Sequence, residues 1–285
     1  MSPVFVSMFW KTTRHLIDLS SPRVMGIVNL TPDSFSDGGQ LAHAQGGCLH
    51  CDRLAEQGAD ILDIGGESTR PGAQPVPPEE EWRRVAPVLT HALTLGLPVS
   101  LDTRHASVMQ RGLDVGVDII NDVMALQGPH ALKVVSAHPS AGVCLMHMKG
   151  SPTSMQEDPQ YDDVTNEVLV FLQARVDAAV TAGIDVARLV VDPGYGFGKT
   201  LAHNLQLAQG QAQLLQLGRP LLVGWSRKGT LGRLTGRAVD DRLAASVAAA
   251  LAAVRSGAHI VRVHDVAATV DALKVWRALS EGGAP

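Results

Sequence analysis

Long apolar runs, cysteine and strong net charge are all scarce in this chain. No window offers eighteen consecutive apolar residues, so no membrane-spanning helix is expected. Three cysteines cannot form a disulfide framework, which favours the reducing cytosol. The opening segment SPVFVSMFW is apolar only briefly, and basic residues follow it instead of preceding it, so no secretory leader is expected. A formal charge of −4, from 24 basic and 28 acidic residues, excludes a bulk basic nucleic-acid binder but permits a local anion site. No low-complexity segment or flexible linker divides the sequence.

What is present is an ordinary globular composition, 45% hydrophobic and 18% charged over 285 residues. A chain of this size can bury roughly three quarters of its unfolded surface, so the core needs no staples. One alternation repeats along it: a short apolar run, a polar loop, an amphipathic stretch. The runs are VMGIVNL (24–30), DILDIGG (60–66), PVSLDT (98–103), DIINDV (118–123), GVCLMHM (142–148), LVVDPG (189–194), PLLVGWS (220–226) and HIVRVHD (259–265). Most are near-continuously apolar, the mark of strands buried on both faces of a parallel sheet. Several are introduced by Gly or Pro, including Pro98, Gly116, Pro220 and Gly257. An Ala-rich helix before the last run ends at Gly257, a natural C-terminal stop. Eight such repeats predict a TIM (β/α)8 barrel, with a doubly wound open sheet as the runner-up. The whole of 1–285 is expected to be one domain: a hairpin within 1–22 closing the barrel bottom, then a barrel over 23–282.

In a barrel, chemistry collects at the C-terminal strand ends. Here those ends carry Asn29, Asp63, Asp102, Asn121-Asp122, His147, Asp192, Ser226-Arg227-Lys228 and Arg262-x-His264. Asp102, Asn121 and Asp192 suit a heterocycle rich in N–H donors. Lys228, Arg262 and His264, on the last two runs, sit where barrels frequently keep phosphate. The mouth is therefore expected to be bipolar, with a ring on one side and an anion on the other. The loops 31–40 and 67–80, rich in Gly and Pro, read as lids.

Some signals mislead. GYGFGKT (194–200) has the wrong spacing for a phosphate-cradling P-loop, and Lys199 reads as a solvated loop lysine or a helper near the pocket. Cys48-x-x-Cys51 falls in the first helix without a second ligand pair and reads as two accidental thiols, and Cys144 as a small core residue. His147 reads equally as a packed core histidine or a catalytic one, His259 as structural, and Asp63 as a group holding backbone beneath the loop.

MGIVNLTPDSFSDGG (25–39), DIGGESTRPGA (63–73), SLDT (100–103), IIND (119–122), LMHMKGSPTSMQ (145–156), VDPGYGFGKT (191–200), GWSRKG (224–229) and VRVHDV (261–266) together resemble the dihydropteroate synthase family, in its motif order and across almost the whole chain. The resemblance implies a homodimeric, Mg²⁺-using TIM barrel and sulfonamide target. It would condense 6-hydroxymethyl-7,8-dihydropterin diphosphate with 4-aminobenzoate, giving 7,8-dihydropteroate and diphosphate. By the same resemblance Asn29 helps hold the metal, while Thr69, Asp102, Asn121, Asp192 and Lys228 bind the pterin. Arg262, Val263 and His264 take the diphosphate end, and Phe35, Pro71 and Ser226 border the aminobenzoate pocket. Asp102, Lys228, Arg262 and His264 are the implied catalytic set. The chain departs from the family at Gly229 (usually Ser), Ala245 (commonly Gly) and Lys149 (usually Arg).

The implied chemistry breaks a C–O bond to diphosphate and forms a C–N bond. A pterin stabilises positive charge at its exocyclic methylene, and an adjacent carboxylate such as Asp102 favours that charge, so a dissociative, SN1-like path is expected. No Ser-His-Asp or Cys-His set offers a covalent nucleophile. Two other readings compete: a pterin-binding methyltransferase, which would not need TPDSFSDGG together with SRK and RVH, and a silent pterin-binding paralogue, which should have lost loop or phosphate residues.

Overall fold

The computed structural model describes residues 8–30, 39–68, 72–150 and 155–281. Two short strands, β1 (Phe9–Lys11) and β2 (Leu16–Asp18), pair antiparallel as a hairpin. Eight parallel strands follow: β3 (Arg23–Asn29), β4 (Ile61–Gly65), β5 (Val99–Asp102), β6 (Ile119–Asp122), β7 (Gly142–Met146), β8 (Leu189–Asp192), β9 (Leu222–Val223) and β10 (Ile260–Val263). Their order is β8-β7-β6-β5-β4-β3-β10-β9, and a parallel bridge from Val191 to Leu221 brings the two ends together. The predicted barrel is the observed one, and all eight apolar runs became its strands.

Helices return the chain between strands: α1 (Gly39–Glu56), α2 (Pro78–Ala92), α3 (Ala106–Val115), α4 (Ala131–Ala137), α5 (Val164–Thr181), α6 (Leu201–Gln209), α7 (Gly229–Thr235), α8 (Leu243–Arg255) and α9 (Val266–Glu281). Local chemistry fixes their ends. Asp163 caps α5 by accepting from the N–H groups of Thr165 and Asn166. Thr200 and His203 form a reciprocal capping box on α6. The predicted stop at Gly257 is realised: it lies at φ +93, two residues past α8.

Strand alternation sorts the side chains into two layers. One set, including Val24, Val28, Leu62, Ile64, Leu101 and Val261, packs outward against the helices. The other, Met25, Ile61, Ile119, Cys144, Val190, Leu222 and Ile260, fills the lower lumen together with Trp10 and Ile17 of the hairpin. The fully buried Trp10 closes this plug, its indole Nε1 donating to the Arg188 carbonyl at 2.8 Å. Arg14 latches the hairpin by binding the buried Asp118 carboxylate at 2.6 Å and the carbonyls of Leu93 and Leu97 at 3.1 Å. Asp118 in turn accepts the Val99 N–H at 2.9 Å, so the latch ends on a barrel strand. The Cys48–Cys51 pair lies on α1, and all three cysteines are free.

Candidate active site

Two positions above four of these apolar lumen residues, the same strands turn polar. Asp63 stands above Ile61, Asn121 above Ile119, Asp192 above Val190 and Arg262 above Ile260, with Asp102 on the neighbouring β5. In-register pairing sets Asp102 beside Asn121. Arg262 bridges the group: its Nε donates to Asp63 Oδ2 at 2.6 Å and its Nη2 to Asp102 Oδ2 at 2.7 Å. Asn121 Nδ2 also donates to Asp63, at 3.2 Å. Asp63 is fully buried and is therefore an ion-pair partner in the lumen, not the backbone-holding residue expected from the sequence. What marks it in hindsight is a carboxylate at an inward position of an otherwise apolar strand.

Burial sets the electrostatics. It raises the Asp102 carboxyl above the ordinary range, and the Asp63, Glu81 and Asp122 carboxylates add to this while Arg262 opposes it. Burial likewise raises Asp192, against the pull of Lys228 and the Gly194 N–H, which donates to its Oδ1 at 2.7 Å. Lys228 is pushed down to about 8 by burial, with Asp192 resisting. Its ammonium donates to the Tyr195 carbonyl and lies 4.7 Å above the Phe197 ring.

Asp122 does the backbone work instead. It accepts the N–H groups of Met124 and Leu126, each at 2.8 Å, and so supports a turn in which Ala125 and Leu126 have φ of 51 and 58. Arg227, at φ 57, is paired with Asp265 at 2.6 Å, which leaves Lys228 as the cation of that motif in the lumen. Ser226 Oγ and His264 Nδ1 lie 2.9 Å apart, and the same Oγ accepts the His264 N–H, so the two predicted residues meet at one edge of the mouth.

Other expectations change. Lys199 is not solvated: it is buried, and its Nζ donates to His147 Nδ1 and the Gly194 carbonyl at 2.9 Å and to the Phe197 carbonyl at 3.1 Å. His147 is the packed histidine of the two alternatives. Burial, then Lys199, pushes it down to about 2, and it packs edge-on to Phe171. Val263 faces the outer apolar layer, on the opposite side of β10 from Arg262, so its side chain is not in the lumen. His259 is buried at the start of β10 and accepts the Leu221 N–H, a structural role. Phe35, Thr69 and Pro71 lie outside the described residues, as do residues 31–38 of the first predicted lid.

Two of the departures from the family pattern, Gly229 and Lys149, are accommodated locally. A Cβ at Gly229 would meet nothing within 4 Å. Lys149 ties its loop to α5 through Glu167 at 3.1 Å and lies 4.2 Å over the Tyr161 ring.

An eight-stranded parallel barrel whose upper lumen gathers carboxylates, an amide and a guanidinium is the frame of a TIM-barrel enzyme with a polar site at its mouth. The family profile described as "Pterin binding enzyme" matches residues 25–264. A dihydropteroate synthase from Neisseria meningitidis serogroup B is 53% identical over 276 residues, covering 95% of this chain and 97% of that protein. A Xanthomonas albilineans dihydropteroate synthase solved with 4-aminobenzoic acid superposes with a TM-score of 0.91 at 50% identity, covering 98% of this chain and 100% of that one. A structure of the enzyme from that organism in complex with 7,8-dihydropteroate superposes at 0.86 with 49% identity, covering 95% and 98%. The chain belongs to the pterin-binding enzyme family, and within it to the dihydropteroate synthases.

Proposed function

We infer that the chain joins 6-hydroxymethyl-7,8-dihydropterin diphosphate to 4-aminobenzoate, releasing diphosphate and forming 7,8-dihydropteroate, by a dissociative path. The observation that carries this reading is the Asp63–Arg262–Asp102 bridge over Asn121 in the upper lumen, set in a chain half identical to a synthase solved with dihydropteroate.

Asp192 and Asn121 accept the N–H groups of the pterin ring, and Lys228 donates to its carbonyl or ring nitrogen. Arg262 gives two of its three nitrogens to carboxylates. Among the described residues Nη1 takes no partner, and it is the edge left for a phosphate oxygen. His264, oriented by Ser226, supplies a second donor there. As the C–O bond breaks, positive charge develops on the pterin methylene. Burial leaves the Asp102 carboxylate poorly solvated, so positive charge developing on the methylene beside it is stabilised more than the uncharged methylene of the substrate. The aniline nitrogen of 4-aminobenzoate then captures the cation. It needs no strong base, since its proton becomes acidic once the C–N bond forms.

Asn29 is half-buried at the C-terminal tip of β3, and among the described residues no three His, Cys, Asp or Glu side chains gather as a metal cage. Those residues fit Mg²⁺ held by one amide oxygen and otherwise by water and phosphate oxygens, which this ion tolerates. When bound, it would neutralise the leaving diphosphate. Phe35, Pro71 and Ser226 are assigned to the aminobenzoate pocket and Thr69 to the pterin. We assign the enzyme to the cytosol as a homodimer. Among the described residues no helix is long and apolar enough to cross a membrane, and Leu234, Leu243, Val275 and Leu279 leave exposed apolar surface on α7, α8 and α9.

Positional isotope exchange tests the path. With the bridging oxygen of the pterin diphosphate labelled and 4-aminobenzoate omitted, a dissociative enzyme scrambles the label into the non-bridging positions of recovered substrate. Turnover to dihydropteroate with no scrambling would leave direct displacement as the mechanism.

A further inference from the structure

The turn 193–198 between β8 and α6 carries three glycines with positive φ, at 65, 82 and 60 for Gly194, Gly196 and Gly198. It is folded so tightly that a Cβ at Gly194 would come within 1.9 Å of the His147 carbonyl oxygen. Both neighbouring peptides touch the site. The Gly194 N–H holds the Asp192 carboxylate at 2.7 Å, and the Tyr195 carbonyl receives the Lys228 ammonium.

Beneath this turn lies Lys199, only 2% exposed. A lysine ammonium has three N–H donors. All three are matched here, by the carbonyls of Gly194 and Phe197 and by His147 Nδ1, and by no carboxylate among the described residues. Accepting at Nδ1 fixes His147 as the neutral Nε2–H tautomer. The His147 N–H donates in turn to the Asp192 carbonyl at 2.9 Å. Burying a lysine without an ion-pair partner is costly, and burial pushes the Lys199 amine well below the ordinary lysine range.

We propose that Lys199 is a positioning residue for the pterin side of the site, fixing the 193–198 turn and through it the Asp192 carboxylate and the Lys228 ammonium. It touches no substrate. The inference rests on the assignment of Asp192 and Lys228 to the pterin, and its test separates the two.

Lys199→Met, Lys228→Met and the double variant are each titrated with 6-hydroxymethyl-7,8-dihydropterin by calorimetry, and the KM for 4-aminobenzoate is measured beside them. Lys199→Met should weaken the pterin about tenfold or more while leaving the aminobenzoate KM within about twofold. The double variant should bind more tightly than the product of the two single effects predicts, by about threefold or more, because one residue acts through the other. Effects that multiply, or a parallel loss for both substrates, overturn the role of Lys199. Pterin binding by Lys228→Met equal to that of the parent overturns the underlying assignment of Lys228. Where Lys199→Met does not fold, His147→Leu removes one acceptor from the same ammonium and His147→Gln restores one. The glutamine variant should bind the pterin more tightly than the leucine variant, and equal binding overturns the proposal.

Discussion

The lower and upper halves of the barrel lumen are built by the same strands and do opposite work. Below, Met25, Ile61, Ile119, Cys144, Val190, Leu222 and Ile260 interlock under Trp10 in a dry layer. Above, one inward position further along, Asp63, Asn121, Asp192 and Arg262 form a polar layer of buried and partly buried groups. The lower layer gains free energy by removing apolar surface from water, roughly 25 cal/mol per Å². The upper layer gives up part of that gain. Desolvation of two carboxylates and a lysine moves all three away from their charged forms, a cost recovered only when a ligand supplies complementary donors and charge. A shift of two residues along a parallel strand thus separates stability from function.

The largest expected effect lies in the lower half. Trp10→Ala should cost about 3–5 kcal/mol of stability, because a fully buried indole and its hydrogen bond to Arg188 are lost together. Denaturant unfolding measures the loss, while KM and kcat per folded molecule stay at the parent values. A changed pterin KM in the folded fraction would break the separation. Next comes Asp102→Asn above: kcat/KM should fall about 10²–10³-fold, the range seen when one transition-state electrostatic contact is removed. Its melting temperature should be unchanged or higher, since a carboxyl held above its normal pKa stores unfavourable desolvation.

A smaller loss is expected at Asp192→Asn, where an acceptor becomes a donor facing pterin N–H groups. About 1–3 kcal/mol of pterin affinity should disappear in calorimetry, with little change in unfolding. The smallest effect is pH dependence. Lys228, lowered to about 8 from 10.5, loses its proton in the folded enzyme before the unfolded chain does. Between about 8 and 10.5 the unfolded state binds more protons, so this group's contribution to stability rises with pH. Pterin diphosphate affinity should fall by up to about tenfold from pH 8 to pH 9. Measured in the Asp102→Asn background, which removes a carboxyl also raised by burial, that limb should persist; in Lys228→Met it should vanish.

The strand pattern, the eight repeats and the inward polar ends were legible because they are local: an apolar run with one carboxylate or amide at its end occupies about seven residues. Asp102, Asn121, Asp192, Lys228 and Arg262 were found that way. The pairing among them was not, since Arg262 lies 199 and 160 residues from the carboxylates it joins. The Arg14–Asp118 latch, 104 residues apart, was silent for the same reason. Of the two readings of Lys199, the solvated one fails although exposure is the ordinary fate of a loop lysine; only the fold of the glycine turn above it shows three acceptors converging. Val263 was carried along with its neighbours, although strand alternation alone puts it on the opposite face from Arg262.

Ile61 and Asp63 sit two residues apart on β4, one in each half, and give the most direct test. Ile61→Ala and Asp63→Asn are compared by denaturant unfolding and by calorimetric titration with 6-hydroxymethyl-7,8-dihydropterin. Ile61→Ala should lose about 2–5 kcal/mol of stability and bind the pterin as the parent does. Asp63→Asn should lose pterin affinity and less stability than Ile61→Ala, because one of the two oxygens facing Arg262 and Asn121 becomes a donor while Arg262 keeps its pair with Asp102. Equal destabilisation by both variants, with pterin affinity intact in both, would contradict the division of the lumen.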